Sequence, residues 1–458
     1  MGFASGSQRN SPGDKGRGFV IHKVKSFSDL LPHTDMSTAQ EDYDARVLKE
    51  IDTFSGQTDV HDLPAIYHYW SNRYVRPKLE RFGFSSPQGM FKLYLQRQCE
   101  GYPGRGGVLR FISIGAGNCE LEIELAQHLK SQGHTRFVID CLDLNGAMLK
   151  RGQEEAKQKG VEDQVGFLQA DFNDWEPAQE YDAVLASHSL HHVVNLEGLF
   201  KQVQTALAPH GQFIVSDMIG RNGHQRWPEA LEIVQELWQE LPEAYRYNRM
   251  LRRQEDTFLN WDCSQEGFEG IRSQDILPLL LNHFHFELFV PYGNVIDPFV
   301  DRPFGHHFDA SKAWDRAFID RVHQRDEEAM LAGRIKPVHM EAVLRKDFSE
   351  KILCPRPFTP EFSVRWPDTY LVVQDLEKRI EKLENEKADL ERTNAALLQE
   401  RTELELANSD LEQSKAALER DKAEIERHAA TLRLQMQMAA GSRWVRAGNK
   451  LGVGPKFR

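Results

Sequence analysis

The sequence predicts an α/β protein, in which a doubly wound, Rossmann-like parallel sheet with helical insertions precedes a long C-terminal coiled coil. Three observations lead to this prediction. An apolar run over 108–114 ends in Gly115-Ala116-Gly117, and an amphipathic segment follows directly. Four more strand-like segments then alternate with helical segments as far as residue 217. Beyond Leu376, leucine recurs at every seventh residue almost to the end of the chain.

The composition limits the class of protein. At 458 residues, 40% of them hydrophobic, the chain is long enough for one large domain with extensions. Its apolar runs are shorter than a bilayer span and no secretory signal opens it, so we expect a cytoplasmic protein. Five scattered cysteines without a CxxC pair indicate reduced thiols. Because seven cations follow Glu426, the rest of the chain carries −19 against a total of −12, which disfavours nucleic-acid binding.

The region before the sheet is predicted in two parts. Residues 1–18 are rich in glycine, serine and charge and are expected to be disordered, whereas 19–107 are expected to form an N-terminal helical lid. Within the lid, Tyr67, Trp70 and Tyr74 recur at helical spacing. Two interpretations remain open for this stripe: it faces the core of the main domain, or it lines a substrate pocket.

The main domain is predicted over 108–350, from apolar runs that end at glycine or at an acid. Asn145 is the predicted N-cap of the second helix, and Pro209-His210-Gly211 is a predicted turn into the fifth strand. After the first strand, the predicted strands are 136–143, 165–170, 181–187 and 212–217, and the predicted helices are 121–130, 146–159 and 196–207.

The alternation breaks after Asp217. Residues of about 221–273 are predicted to form an inserted cap, which has a helical pattern over 227–241 and no strand-like segment. Two late strands are predicted at 284–292 and 339–345. The following residues, 351–368, are rich in proline and are therefore predicted to be a linker.

The segment 369–432 carries a heptad repeat. Leucine or isoleucine occupies each d position, whereas most a positions are polar. Leucine at d with asparagine and lysine at a favours a parallel two-stranded coiled coil, hence a homodimer. A trimer is the competitor, and a single helix with solvated faces is the alternative. The a positions are Val373, Ile380, Lys387, Asn394, Arg401, Asn408, Lys415, Lys422 and Ala429.

The final residues, 433–458, form a predicted basic amphipathic tail. It mixes apolar side chains such as Trp444 and Leu451 with evenly spaced cations. Such a segment can lie in a membrane interface, which would place the protein at the inner face of the cell membrane. A disordered tail and a docking peptide for a partner protein are the other two interpretations.

Side chains at the carboxyl ends of the strands suit a nucleoside. The glycine turn brings the backbone close to a ligand, Asp143 can accept hydrogen bonds from both ribose hydroxyls, and Asp171 can accept one from the adenine amino group. Both NAD and S-adenosylmethionine fit this arrangement, although Glu120 stands where a dinucleotide fingerprint has its third glycine. The predicted cofactor-binding residues are Gly115, Ala116, Gly117, Asp143, Leu144, Asp171, Phe172 and Ser187.

Five segments together resemble the class I S-adenosylmethionine-dependent methyltransferases over about 108–218: IGAGNCELE, CLDLNGAML, LQADFNDW, YDAVLASHSLHHV and LAPHGQFIVSDM. The resemblance implies a methyltransferase sheet with S-adenosylmethionine as cofactor. It places the glycines near the methionine part, Asp143 at the ribose, and Asp171 with Phe172 at the adenine. The chain departs from the family at Ser113, where an acid is common. The methionine amino group must therefore have another partner.

The implied reaction is an SN2 methyl transfer, and a hydroxyl acceptor needs a base as the new bond forms. The candidates follow the fourth and fifth strands, at the edge where ligands of open α/β sheets bind. They are His188, His191, His192 and Asp217. No metal site is predicted, because carboxylates at ligand spacing are missing around His283, His285, His306 and His307.

The order of the domains gives a second resemblance. A methyltransferase head, a long coiled coil and a basic SRW…GVGP tail resemble the chain-terminating enzymes of bacterial O-antigen, or lipopolysaccharide, assembly. Those enzymes cap a growing polysaccharide and dock to its polymerase at the membrane. Between Met218 and Tyr370 the chain has neither a glycine-rich phosphate loop nor an HRD-type loop. The resemblance therefore implies methylation without phosphorylation.

The expected function is O-methylation of a sugar hydroxyl in cell-surface polysaccharide synthesis, with a glycosyltransferase or polymerase as partner. Three rivals remain. In the first, the acceptor is a free small molecule or a lipid, and the coiled coil serves only to dimerise the enzyme. Alternatively, the head is a degenerate nucleotide-binding scaffold, which the serine at position 113 keeps open. The third rival is an NAD-dependent oxidoreductase, which is disfavoured because the third glycine of the dinucleotide fingerprint is missing.

Overall fold

A computed structural model describes Tyr43 and residues 45–49, 63–101, 107–265, 267–347, 351–366 and 369–453. The segment predicted to be disordered, 1–18, lies outside the described residues, as do residues 102–106 and 454–458. The chain divides into two units, Met1–Arg365 and Trp366–Arg458. The predicted site residues all belong to the first unit.

The first unit is built on a seven-stranded sheet. A separate hairpin of two short strands, β6 and β7, with two residues each, lies outside it. The strands are β1 Leu109–Ile114, β2 Phe137–Asp143, β3 Val165–Gln169, β4 Tyr181–Ser187, β5 Leu207–Met218, β6 Tyr247–Asn248, β7 Arg253–Gln254, β8 His285–Tyr292 and β9 His339–Arg345. Their order in the sheet is β3-β2-β1-β4-β5-β9-β8. Strands β1 to β5 run parallel, and β9 is antiparallel to both of its neighbours.

The predicted doubly wound sheet is confirmed by this order. The chain proceeds outward from β1 to β3 and then returns to place β4 on the other side of β1. Ligands of such sheets bind in the crevice at the carboxyl ends of the strands, where the order reverses. The fold therefore places a binding crevice at the ends of β1 and β4.

Helices cover both faces of the sheet. They are α1 Ala65–Trp70, α2 Arg76–Glu80, α3 Pro87–Gly101, α4 Glu120–Ser131, α5 Gly146–Gln158, α6 Leu196–Ala206, α7 Pro228–Gln239, α8 Ser273–His283, α9 Asp297–Val300, α10 Ala313–Leu331 and α11 Pro360–Ser363. Asn145 caps α5 as predicted, because its side-chain oxygen accepts hydrogen bonds from the N–H groups of Ala147 and Met148.

Alternation along β1 divides the core into two layers. Phe111 packs in the layer that contains α4 and α5, whereas Ile112 and Ile114 pack in the layer that contains α6 and α8. Because both faces are covered, the strands read as nearly continuous apolar runs. This pattern is what made them recognisable in the sequence.

The aromatic stripe in the N-terminal region packs against the main domain. Trp70 is 2% exposed and donates a hydrogen bond from its indole N–H to His323 in α10. Tyr74 stacks on the same imidazole, with ring centroids 3.8 Å apart. Tyr67 packs against the same core layer. The stripe thus takes the core-facing role, the first of the two interpretations open for it.

Two predictions inside the main domain need correction. The fifth strand begins at Leu207 rather than 212, because the predicted turn at 209–211 is a bulge within the strand: Leu207 pairs with Tyr181, and Gln212 with Ala183. The cap also contains strand structure, the hairpin of β6 and β7. Strands of two residues are too short to produce a periodic pattern in the sequence.

The prediction of a linker over 351–368 is wrong for its described part. Leu353 pairs with Leu288 of β8, and its N–H and C=O groups both hydrogen-bond to that strand. Phe358 and Val364 are 6% and 3% exposed. The prolines prevent long helices and strands here, but the apolar residues between them still pack on the domain.

The second unit contains one continuous helix, α12 Thr369–Gly441, followed by α13 Arg443–Lys450. The described d-position leucines lie on its surface, from 54% exposed at Leu432 to 70% at Leu390. The predicted long helix is confirmed, and the coiled coil stays a prediction. Among the described residues, no helix is both long and apolar enough to cross a membrane.

Glu341 is a buried acid in β9, the strand between β5 and the edge strand β8. Its Oε1 accepts hydrogen bonds from the hydroxyls of Ser216, at 3.1 Å, and Tyr292, at 3.0 Å. Burial raises the pKa of Glu341 from its usual 4.5 to about 8, which outweighs the two hydrogen bonds. The carboxyl is therefore protonated in the folded protein at neutral pH.

We expect the stability that Glu341 contributes to be lost as the pH rises from about 4.5 to 8. Over this range the unfolded chain releases the Glu341 proton and the folded chain keeps it, so unfolding becomes easier by up to ~1.4 kcal/mol per pH unit. Urea unfolding at several pH values measures the slope. Glu341→Gln should flatten it, whereas exposed Glu162→Gln should not. Equal slopes in all three proteins would contradict the assignment.

Candidate active site

The turn after β1 follows the predicted glycine pattern. Gly115 and Gly117 have φ angles of 69° and 55°, in the left-handed region that favours glycine. The N–H groups of Gly115 and Ala116 both donate to the carbonyl of Leu142 in β2. A Cβ on Gly115 would lie 2.6 Å from the Cβ of Ser189, so glycine is required there. The turn is thus held against β2 on one side and against Ser189 on the other.

Asp143 lies at the end of β2, beside the glycine turn. One carboxylate oxygen accepts a hydrogen bond from the N–H of Gly117 at 2.8 Å, and the other accepts one from the N–H of Asn145 at 2.7 Å. Each carboxylate oxygen can accept more than one hydrogen bond. Asp143 is therefore fixed by the backbone beside the glycine turn, at the place predicted for the ribose.

An acid that the sequence analysis missed lies behind Ser113. The Glu122 carboxylate, on α4, accepts a hydrogen bond from the Ser113 hydroxyl at 2.6 Å. The other oxygen, Oε2, is buried without a hydrogen-bond partner among the described residues. Burial raises the pKa of Glu122 to about 7. An acid from the next helix thus lies within hydrogen-bond distance of the position where β1 lacks one.

Asp171 is covered by a residue from the N-terminal region. Its carboxylate accepts hydrogen bonds from the Tyr43 hydroxyl at 2.5 Å and from the N–H of Asn173 at 2.8 Å. The Tyr43 ring packs on Phe268 of the cap, with centroids 5.5 Å apart, and Arg46 donates to the carbonyl of Gly267. Burial, together with Asp171, raises the pKa of Tyr43. Tyr43 therefore covers Asp171, the residue predicted to bind the adenine.

Asp217 joins the glycine turn to the histidines after β4. It is 1% exposed, and one oxygen accepts hydrogen bonds from the N–H groups of Ser189 and Leu190. Its other oxygen lies 2.6 Å from Nδ1 of His191. The carboxylate thus holds both the residue that packs on Gly115 and the imidazole two positions later. Its geometry suits orientation of His191 rather than direct contact with an acceptor.

Three imidazoles converge on Glu269 of the cap. Its Oε1 lies 2.6 Å from Nε2 of His224 and 3.6 Å from Nε2 of His191, and its Oε2 lies 3.5 Å from Nε2 of His192. Burial would lower the pKa of His191, but Asp217 and Glu269 raise it to about 10. Burial would raise the pKa of Glu269, yet His191 and His224 hold it far below its usual value. We call these four residues the histidine–glutamate cluster.

The remaining predicted residues lie around the same edge. His188 is exposed at the end of β4, with a φ of 51°, while Ser187 and Leu144 are half-buried. Phe172 packs against the core layer of α6. His283, His285, His306 and His307 belong to no group of potential metal ligands among the described residues: Nδ1 of His283 faces Gln204, and Nε2 of His307 faces the carbonyl of Tyr247.

The functional residues missed in the sequence differ in how far a pattern could have revealed them. Glu122 shares helical spacing with Leu125, Ala126 and Leu129, so it is an acid on an apolar face, which is a recognisable signal. His224 and Glu269 lie in the cap, 45 positions apart, and no local pattern links them. Only the folded chain brings them to His191.

Comparison with known proteins supports the predicted class. Residues 108–269 match a family model described as a methyltransferase domain. Two relatives are named ubiquinone/menaquinone biosynthesis C-methyltransferase UbiE. The protein of Rhizobium meliloti is 26% identical over 114 residues, 25% of this chain and 42% of that protein. That of Pseudomonas fluorescens is 31% identical over 107 residues, 23% of this chain and 40% of that protein. The chain thus spans less than half the length of either relative.

Among solved structures, the chain resembles the O-methyltransferase from a trans-AT polyketide synthase multienzyme of Brevibacillus brevis, in complex with S-adenosylhomocysteine. The identity is 14% and the TM-score 0.35, over 63% of this chain and 85% of that one. Residues 108–269 thus match a methyltransferase domain on a doubly wound sheet, and S-adenosylmethionine is the cofactor expected for it.

The residues present fit that cofactor. Asp143 offers a backbone-anchored carboxylate beside the glycine turn, as a ribose requires. Two buried polar atoms on either side of the turn, Oε2 of Glu122 and Oγ of Ser189, have no hydrogen-bond partner among the described residues. Buried polar atoms are usually paired, so unpaired ones beside a binding turn indicate a ligand.

Proposed function

We propose that the chain is a methyltransferase that uses S-adenosylmethionine and methylates a hydroxyl oxygen. The observation that supports this best is the position of the histidine–glutamate cluster. The Asp217 carboxylate connects it to the glycine turn, because it contacts both His191 and Ser189, the residue that packs on Gly115. A hydroxyl acceptor must lose its proton as the new bond forms, so this reaction needs a base near the methyl group. The cluster supplies imidazole and carboxylate groups at the required edge of the sheet.

The chain's own residues have separate roles in this proposal. Asp143 orients the ribose, and the glycine turn lets the cofactor approach the backbone. When bound, S-adenosylmethionine supplies an electrophilic methyl group on a sulfonium. Nε2 of His192 accepts the proton of the acceptor hydroxyl, and Oε2 of Glu269, 3.5 Å away, stabilises the imidazolium that forms. Asp217 fixes the neighbouring ring of His191 and touches no substrate.

For the acceptor, we propose a sugar hydroxyl of a bacterial cell-surface polysaccharide. Support comes from the domain order, a methyltransferase domain followed by a 73-residue helix with a heptad repeat. In this proposal α12 forms a parallel homodimer, and the chain docks to a glycosyltransferase or polymerase at the inner face of the membrane. The basic residues of the tail, including those of α13, would contact anionic lipid there.

A second candidate comes from the relatives. Both carry the name of C-methyltransferases of ubiquinone and menaquinone biosynthesis, so methylation of a small molecule at carbon is the competing reaction. The ring carbon loses its hydrogen as a proton after it has received the methyl group, and the cluster would then take that proton. The two candidates differ in the atom that receives the methyl group, which is directly measurable.

The test uses the full chain with S-adenosylmethionine that carries a deuterated methyl group. Candidate acceptors are glycans of surface polysaccharides, lipids and phenolic quinone precursors, and mass spectrometry with fragmentation identifies the labelled atom. We expect a labelled methyl ether, and a rate lowered by about 10²–10⁴-fold in His192→Gln with unchanged affinity for S-adenosylhomocysteine. Label on carbon would support the second candidate, and label on neither would sink both.

We also expect Glu122 to serve the methionine part of the cofactor in place of an acid at Ser113. Glu122→Gln should weaken binding of S-adenosylhomocysteine by about tenfold, because a charged hydrogen bond is worth ~1.5–3 kcal/mol. It should leave binding of methylthioadenosine unchanged, since that nucleoside lacks the amino-acid part. Calorimetry measures both. If the two ligands weaken equally, Glu122 acts on the fold of the turn and not on the ammonium group.

A further inference from the structure

Three donor side chains meet above the end of β4, outside the residues that would hold the cofactor. Within the described part of the chain, one donor atom each from His191, His224 and Glu269 lies within 4.8 Å of the others. We propose that these residues bind one divalent transition-metal cation. Nothing in the sequence pattern pointed to this site, because two of its ligands come from the cap.

The distances suit a small cation. Oε1 of Glu269 lies 2.6 Å from Nε2 of His224 and 3.6 Å from Nε2 of His191. A tetrahedral ion with bonds of ~2.0–2.1 Å keeps its ligand atoms about 3.3 Å apart. Both distances from Oε1 of Glu269 therefore lie within about 1 Å of the separation that such an ion needs between its ligand atoms. Small rotations of the glutamate side chain, which is 42% exposed, would complete the site.

A supporting shell is already in place. Nδ1 of His191 lies 2.6 Å from a carboxylate oxygen of Asp217, so Nε2 is the nitrogen that faces Glu269. Imidazoles that bind metals almost always donate their other N–H to a carboxylate or a carbonyl, which fixes the ring. Asp217 is in turn anchored by the N–H groups of Ser189 and Leu190.

The backbone at His224 also helps to bring the two ligands from the cap together. Its φ is 53°, a left-handed conformation that costs a non-glycine residue about 1 kcal/mol or more. The turn is held by the N–H of Gly223, which donates to the carbonyl of Gly270, next to Glu269. The two cap ligands are thus fixed to each other by backbone before any ion binds.

The donor set indicates the class of cation. Two imidazoles and one carboxylate suit zinc, iron(II), manganese(II) or cobalt(II), whereas magnesium and calcium prefer oxygen ligands. The side chain of Glu269 is 42% exposed, so an ion can enter from solvent and keep an open coordination position. A second donor group, Cys119 with Glu122 and Cys141, is buried, and burial raises the pKa of the Cys141 thiol, which disfavours the thiolate that a metal needs.

In terms of mechanism, this inference rests on the proposed function. A cation at this place would bind the acceptor hydroxyl and lower its pKa, while His192 receives the proton. Binding itself needs neither cofactor nor acceptor. A test of binding therefore fails or succeeds independently of methyl transfer.

The experiment uses the full chain without an affinity tag, stripped with a chelator and dialysed. Co²⁺ is titrated as the probe, because a four-coordinate nitrogen and oxygen site gives visible absorption bands. We expect one equivalent bound per chain and a higher melting temperature with Co²⁺ or Zn²⁺, since an ion that binds only the folded state stabilises it. Calorimetry with S-adenosylhomocysteine is run in parallel and reports on the proposed function alone.

Variants assign the site. His224→Ala and Glu269→Gln should each weaken Co²⁺ binding by at least 100-fold, and Asp217→Asn by about 10–100-fold. His283→Ala, a half-buried histidine outside the cluster, is the matched control and should bind normally. Circular dichroism verifies that each variant is folded, and either ligand variant suffices if the other does not fold.

Three results would overturn the proposal. One is the absence of stoichiometric binding to the unmodified chain, in which case the cluster is a network of hydrogen bonds and charges only. The second is an intense near-ultraviolet band, which thiolate ligands produce, since it would assign the ion to Cys119 and Cys141. The third is undiminished Co²⁺ binding in both His224→Ala and Glu269→Gln, which would place the ion outside the cluster.

Discussion

Asp143→Ala should reduce the affinity for S-adenosylhomocysteine by about 100-fold or more. In the proposed complex the carboxylate accepts both ribose hydroxyls, and each hydrogen bond to a charged group is worth ~1.5–3 kcal/mol. The substitution also frees the N–H of Gly117, which Asp143 accepts at 2.8 Å, so the turn itself becomes looser. Both effects lower affinity, and isothermal titration calorimetry measures their sum.

The matched control is Asp163→Ala, which removes an exposed carboxylate from the same domain. It should change the affinity less than twofold, because an exposed charge outside the crevice is screened by solvent. Asp143→Asn should fall between the two, since an amide oxygen still accepts one hydrogen bond. An unchanged affinity in Asp143→Ala, with an intact circular dichroism spectrum, would remove Asp143 from the ribose site.

The second large effect concerns α12. Leu404→Lys combined with Leu411→Lys should convert the proposed dimer into monomers. These d leucines are 64% and 67% exposed on the single helix, and burying a leucine is worth ~1.5–3 kcal/mol. Because most of the a positions are polar, the d leucines carry nearly all of the apolar contact. Losing two adjacent layers on both helices should therefore exceed what the coil can tolerate.

The chain offers a control of the same chemistry. Leu406 is 65% exposed but lies two positions away from the d stripe, so Leu406→Lys introduces the same charge outside the proposed contact. Light scattering should give the mass of a dimer for this variant and of a monomer for the double variant. Circular dichroism should also show loss of helix in the double variant, since isolated helices are marginal in water. A monomeric unmodified chain would refute the coiled coil.

The sequence was sufficient for most of the strands because they are largely buried apolar runs. Tyr181–Ser187, a parallel strand, and His339–Arg345, an antiparallel one, were predicted with the bounds that the structure has. The position of β9 between β5 and β8 was not predictable, because it depends on pairing between segments distant in the chain. Local periodicity carries no information about such partners.

The candidate site divides in the same way. Gly115, Gly117 and Asp143 could be found because one βα unit and the next strand place them together. Glu269 could not, since it reaches the histidines only through the cap. The linker over 351–368 was mispredicted because proline content reports on the absence of regular structure and not on burial. Phe358 and Val364 are apolar residues in an irregular segment, which packing alone could reveal.

The strand-like contact of Leu353 covers part of one edge of the sheet. Strand β8 is the last in the sheet, and an uncovered edge strand offers its N–H and C=O groups to any other chain. Leu353 occupies such groups of β8 at Glu287 and Phe289, in a segment where prolines prevent further pairing. The stretch acts as a terminator of sheet growth. A chain cut before Lys351 would expose a template for aggregation, whereas one cut after Arg365 would keep the edge sealed.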